Sequence, residues 1–189
     1  MRFFFLGGAR RSDSIGRMRA VRLTCAFLLA GVAATQQVPQ ELGQGWLPEF
    51  RLAARQILSL AEATPPAKFA WRPADGVRSF SEVYMHIALG NLMLLSQAGV
   101  KLTADVSTLP RNPETAIKDK AEVIRWLKTS FESVESAYPA ADKEKKVTFF
   151  GKETKAEGVF LRILVHNHEH MGQAVAYARM NGIVPPWSK

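Results

Sequence analysis

The stretch IKDKAEVIRWLKTSFESVESAY, residues 117–138, decides the fold. It sets Ile117, Ala121, Ile124, Leu127, Phe131, Val134 and Tyr138 at steps of three and four residues. At about 100° per residue those positions fall on one side of a helix, with charged residues on the other. So long a stripe needs an apolar partner, and the neighbouring sequence supplies three more segments of the same kind. Upstream, Asn112 followed by Pro113 reads as the opening of this helix, since proline in a first turn gives up an N–H that has no helical partner anyway. Ser79 and Glu82 read as a capping box starting a helix that runs to about Ala98 and stops at Gly99. Before it, Leu47, Phe50, Ala54, Ile57 and Ala61 have helical spacing, and Pro65 with Pro66 ends the run. Downstream, Thr154 and Glu157 read as a second capping box, ahead of a helix that ends at Asn181 and Gly182. Only the segment from Lys146 to Phe150 looks strand-like. The fold class expected is all-α, an antiparallel four-helix bundle. The rings of the loop from Pro65 to Arg78, which holds Phe69, Trp71 and Pro73, are expected to pack on it.

The first 34 residues differ from the rest. They hold six Arg and no Lys, with an apolar run from Leu23 to Ala34 that closes on Val32, Ala33 and Ala34. The order of basic, apolar and small residues is that of a secretory signal peptide, and it can be read from Met18 as well as from Met1. The expected division is a signal peptide over 1–34, a linker over 35–45 and one helical domain over 46–189, exported to a periplasmic or extracellular location. An apolar run of about a dozen residues falls short of the ~20 that span a bilayer, so no stable membrane span is expected.

The leader also changes the meaning of the charge. The chain has 25 basic and 17 acidic residues, a formal +8; the leader holds six of the first and one of the second, leaving 19 against 16 and a net +3. No basic stripe with interleaved aromatics remains in the domain, which argues against a nucleic-acid partner. The single cysteine, Cys25, falls in the leader, so the remainder offers neither a disulfide nor a thiol nucleophile.

Three of the four histidines, His166, His168 and His170, lie within five residues on the last helix. His166 and His170 are about 40° apart around that helix, on the face of Val159, Ile163, Gln173 and Tyr177, while His168 points away. His86 sits on the second helix in line with Glu82, Val83, Gly90 and Met93, where the bundle interior can bring it opposite the pair. Three neutral imidazoles suit one divalent transition metal, zinc or nickel first, with a position left for water or substrate. Histidines on an apolar face are also found as hydrogen-bonded core residues, and this alternative stays open.

The wording around these residues is specific. His86-Ile87-Ala88-Leu89-Gly90-Asn91, then His166-Asn167-His168-Glu169-His170-Met171-Gly172-Gln173, then Arg179-Met180-Asn181-Gly182-Ile183-Val184-Pro185-Pro186 resemble the DinB family of metal-binding helical proteins. So does Trp71-Arg72-Pro73 leading into Arg78-Ser79-Phe80-Ser81-Glu82-Val83. The resemblance covers roughly residues 45 to 188. It implies that His86, His166 and His170 are the metal ligands. Many members have an extra histidine directly before the last ligand; Glu169 stands there in this chain, and the export signal is a second departure.

Two classes of function follow. In an enzyme, the ion would acidify a water or a thiol, as the hydrolase and thiol-transferase activities ascribed to the family imply. The substrate would be an unidentified small molecule, and a homodimer is left open. Glu82 is the first candidate for a general base, although its capping role accounts for it without chemistry. In a binding protein the ion is a cross-link or cargo. Gln173 could orient a metal-bound water or simply hydrogen-bond across the bundle; Arg162, Asn91 and Tyr177 are open to both readings and are better explained as structural than as catalytic residues.

Overall fold

The computed structural model describes residues 39–188; the expected signal peptide, with Met18 and Cys25, lies outside them. The described chain is mostly helical: α1 (Trp46–Ala63), α2 (Phe80–Gln97), a short α3 (Pro113–Ala116), α4 (Lys120–Ala140) and α5 (Ala156–Met180), with a hairpin of β1 (Lys146–Phe149) and β2 (Lys152–Lys155) before α5. Helix α2 packs against both α4 and α5, and α1 against the same two helices. No helix among the described residues is long and apolar enough to cross a membrane.

Burial explains the arrangement. Phe50, Ala53, Ala54, Ile57, Leu60 and Ala61 give α1 one apolar face, whereas α2 is buried on most sides, from Phe80 through Leu95. Its capping box is present: the Ser79 hydroxyl accepts from the Glu82 N–H at 3.4 Å, and the Glu82 carboxylate accepts from the Ser79 N–H at 2.7 Å. Phe69 is buried beside Tyr84, and Trp71 packs on Phe80 and Tyr177, so the loop between α1 and α2 closes one end of the core. Pro73 of that loop is exposed. Trp46 stacks on Tyr138 with ring centroids 4.0 Å apart and donates its indole N–H to the Phe160 carbonyl, tying α1 to α4 and α5.

One polar group of contacts crosses this core. Asn167 on α5 donates to the Asn91 side chain on α2 at 2.7 Å and to the Ile163 carbonyl at 2.8 Å, while Asn91 donates to Ser130 on α4 at 3.3 Å. All three residues are fully buried. Such groups cost about 1–3 kcal/mol each when left unpaired, so they hold the three helices in one axial alignment.

Four expectations need correction. The chain is not all-α: the strand-like segment pairs with Lys152–Lys155 in an antiparallel hairpin, Val147 opposite Thr154, turning at Phe150 and Gly151, both with positive φ. Thr154 is therefore a strand residue, not a helix cap. The first N–H groups of α5 are satisfied from outside the helix, Ala156 donating to the Lys145 carbonyl and Glu157 to that of Lys143. Nor does Asn112 open the long third helix. The turn at Pro113 ends at Ile117, whose extended backbone breaks the path, and Asp119 caps α4 through the Glu122 N–H. The buried face of α4 is accordingly Val123, Trp126, Leu127, Ser130, Phe131 and Val134, and Ala121 is exposed. Finally, Met93 is 47% exposed and stands off the inward face of α2.

Candidate metal site

His86 projects from α2, and His166 and His170 from successive turns of α5. One ring nitrogen from each lies within 4.8 Å of the others. The Nε2 atoms of His86 and His166 are 3.2 Å apart. Two nitrogens bound at about 2.0–2.1 Å to one tetrahedral ion stand at nearly that separation, so the pair fits a shared ion without rearrangement.

The surroundings determine which nitrogen each ring offers. His86 Nδ1 is 2.9 Å from a Glu114 carboxylate oxygen, and His170 Nδ1 is 3.0 Å from the Gln173 amide oxygen. Both partners accept hydrogen bonds, so Nδ1 carries the proton and Nε2 keeps its lone pair. A ring N–H held by a carboxylate or an amide oxygen is the usual outer support of a metal-binding histidine. Gln173 is fixed in turn by donating to the Tyr177 hydroxyl at 2.9 Å. Glu114 also accepts from Arg78 Nε through its other oxygen. His166 has no such support: its Nδ1 is buried without a partner among the described residues, and the ring is held by packing and by the approach of its Nε2 to His86. Gly90, one turn beyond His86, makes that packing possible, since a Cβ there would stand 2.4 Å from His166 Cε1.

Burial, with the neighbouring His170 and His86, holds the His166 pKa down to about 4. Burial also lowers that of His170. Both imidazoles are thus neutral at pH 7, the state a metal ligand needs. A group of three histidines with these nitrogens free could hold a divalent ion.

The other expected residues fall into place around the three. His168 is exposed and bonds the Leu164 carbonyl, on the side of α5 away from the group. Glu169 is paired with Arg162. Burial raises the Glu82 pKa, but the Ser79 N–H and the Arg72 guanidinium outweigh it and hold the carboxylate below its ordinary range. Both Glu82 oxygens are engaged, one by Ser79 and one by Arg72, which fits the capping role better than proton transfer. Asn91 belongs to the buried polar contacts of the core. Glu114 is the residue that sequence reasoning missed. It sits on a four-residue helix in an irregular segment, and nothing in its local spacing ties it to His86, 28 positions earlier.

Next to the histidines lies a cavity of about 530 Å³, lined by Arg72, Arg78, Glu82, Glu114, Thr115 and Gln173 among others. Glu114 and Gln173, the residues that hold His86 and His170, form part of its wall.

Solved structures with this fold include a DinB-like protein from Bacillus cereus, with a TM-score of 0.66 at 16% identity, covering 76% of this chain and 95% of the other. A second is a DinB-like protein, YjoA, from Bacillus subtilis, with a TM-score of 0.58 at 14% identity, covering 76% and 98%. No curated protein matches the sequence. The family model of the DinB superfamily matches residues 49–174, more than half of the chain and inclusive of all three histidines, and the chain belongs to that superfamily.

Proposed function

We propose that this protein is an exported member of the superfamily whose four long helices form an antiparallel bundle around one divalent transition metal, held by His86, His166 and His170. The observation that carries the reading is the convergence of three ring nitrogens from two helices, with Nδ1 of two rings already committed to outside acceptors. Zinc and nickel suit an all-imidazole set. Bound there, the ion would supply Lewis-acid chemistry and acidify a hydroxyl or thiol set against it. The cavity alongside favours a metal-dependent hydrolase acting on a small molecule, and thiol transfer is the related alternative. Glu82 and Glu114, the carboxylates lining that cavity, are both engaged by arginines and ring or backbone N–H groups. This supports the second reading, an ion that cross-links α2 to α5 without catalysis.

The test common to both readings is thermal. An ion bound only by the folded chain raises Tm by mass action, so zinc or nickel added to metal-free protein at pH 7 should shift the melting curve upward. The metal-free protein has a sign of its own. His166 takes its proton near pH 4 when folded but near 6.5 when unfolded, so between those values the unfolded state binds more protons. Stability should be flat with respect to this group above about pH 6.5 and fall as the pH drops toward 4. A melting temperature indifferent to both ions in demonstrably metal-free protein would remove the proposal.

Glu114 provides a narrower check. Replacing it by alanine leaves the His86 ring without its acceptor and should weaken metal binding roughly 10–100-fold. Glu114→Gln, which keeps an oxygen for His86, should lose less. Competition with a chelator of known affinity measures both, and unchanged affinity in Glu114→Ala would show that the contact does not orient the ring.

Export rests on the order of residues in the leader. N-terminal sequencing of protein from its native host should find a start near Thr35. An intact leader on a cytoplasmic product would overturn this part of the proposal.

A further inference from the structure

The cavity beside the histidines is lined by two guanidinium groups and two carboxylates, and the two pairs are not alike. Arg72 is occupied, one Nη donating to the Val77 carbonyl at 2.7 Å and the other to Glu82 at 3.0 Å. Arg78 uses only Nε, toward Glu114. Its two Nη groups have no partner among the described residues, and its side chain is 40% exposed. Of the cationic groups on the wall, Arg78 therefore keeps the two-pronged edge that matches a carboxylate.

Position adds to this. One carboxylate, that of Glu114, bridges Arg78 and His86. The charges lining the cavity cancel, Arg72 against Glu82 and Arg78 against Glu114. Neutral imidazoles would leave the charge of an ion uncompensated beside them. Such a cavity favours a negative group, and its volume lies within the range of small-molecule sites.

We propose that the cavity takes a small carboxylate-bearing molecule, with the carboxylate on the Nη edge of Arg78 and the rest of the ligand reaching toward His86, His166 and His170. This specifies the substrate class of the site described above and rests on its being a metal site. Arg78 is here a binding residue that selects for charge. Glu114, by taking Nε, leaves the Nη edge of the guanidinium for the ligand.

The experiment uses the full chain loaded with cobalt(II), whose visible absorption reports changes at the ion. Two probes of equal length are titrated, 3-mercaptopropionate and its uncharged amide, 3-mercaptopropionamide; both carry a thiol able to reach the metal, and only the first carries a carboxylate. The anionic probe should saturate the spectral change at a concentration about tenfold lower, the scale of one charge-assisted contact in a partly open site. In Arg78→Gln that preference should fall to near one, and Arg78→Lys should keep part of it, with circular dichroism confirming helicity in each. Equal affinity for the two probes in the unsubstituted protein overturns the inference, as does a preference that survives Arg78→Gln. A cobalt-loaded protein whose spectrum answers to neither probe also overturns it while leaving metal binding intact. Failure to load cobalt at all removes the metal reading and this inference with it.

Discussion

Replacing His86, His166 or His170 by alanine is expected to abolish stoichiometric metal binding, while His168→Ala retains it. The three rings place their nitrogens within 4.8 Å of one another, whereas His168 is exposed and bonded to the Leu164 carbonyl on another side of α5. Loss of one ligand in three should exceed the roughly 10–100-fold that removal of an outer partner costs. Removing a solvent-facing imidazole should change affinity by little. Isothermal titration of the four variants with zinc, and circular dichroism to establish that each is folded, separates these outcomes. Metal retained by His86→Ala but lost by His168→Ala would replace the two-helix site with a cluster confined to α5.

Gly90→Ala should be destabilising, against the ordinary preference of helices. Inside a helix, alanine is normally favoured over glycine by about 0.5–1 kcal/mol. At position 90 the added Cβ would lie 2.4 Å from His166 Cε1 and 3.0 and 3.1 Å from its two ring nitrogens. The ring is buried between α2 and α5 and has to leave its place, so the overpacking penalty of about 1–3 kcal/mol outweighs the helical gain. The same movement carries Nε2 away from His86 and should cost metal binding as well. Gly172, on α5, is the internal control, since a Cβ there meets nothing within 4 Å and Gly172→Ala should be neutral or stabilising. Urea denaturation gives both values. A Gly90→Ala protein as stable as its parent and still able to bind zinc would show that His166 is not wedged against α2.

The sequence made some of this legible and concealed the rest for identifiable reasons. The His166 and His170 pair was visible because helical spacing is a local property: two residues four apart share a face wherever the helix lies. The start of α2 was visible for the same reason, the Ser79 and Glu82 bonds being contained within four residues. The Thr154 and Glu157 pattern is identical in kind and misled. Carbonyls of Lys143 and Lys145, placed by the hairpin, satisfy those N–H groups instead, and no local reading registers a partner brought in by a turn of the chain. At the third helix, Asn112 and Pro113 do start a helical turn, but the extended conformation at Ile117 ends it, and the buried stripe beyond is offset to include Trp126. Glu114 was hidden for a third reason: its meaning lies wholly in contacts with His86 and Arg78, which only the fold brings to it.

The buried contacts among Asn91, Asn167 and Ser130 bear on how the site is made ready. Asn167 directly follows His166 in sequence, and Asn91 stands five residues beyond His86, so the clasp joining α2 to α5 is fastened next to the histidines themselves. The alignment of the two histidine-bearing helices is thereby set by uncharged amide groups that need no ion. The three imidazoles are brought together by contacts that hold without any ion, so a metal bound there would enter a preformed vessel rather than shape its own. One ion could then be exchanged for another without the chain passing through an unfolded state, and the identity of a bound metal would be a matter of supply as much as of sequence.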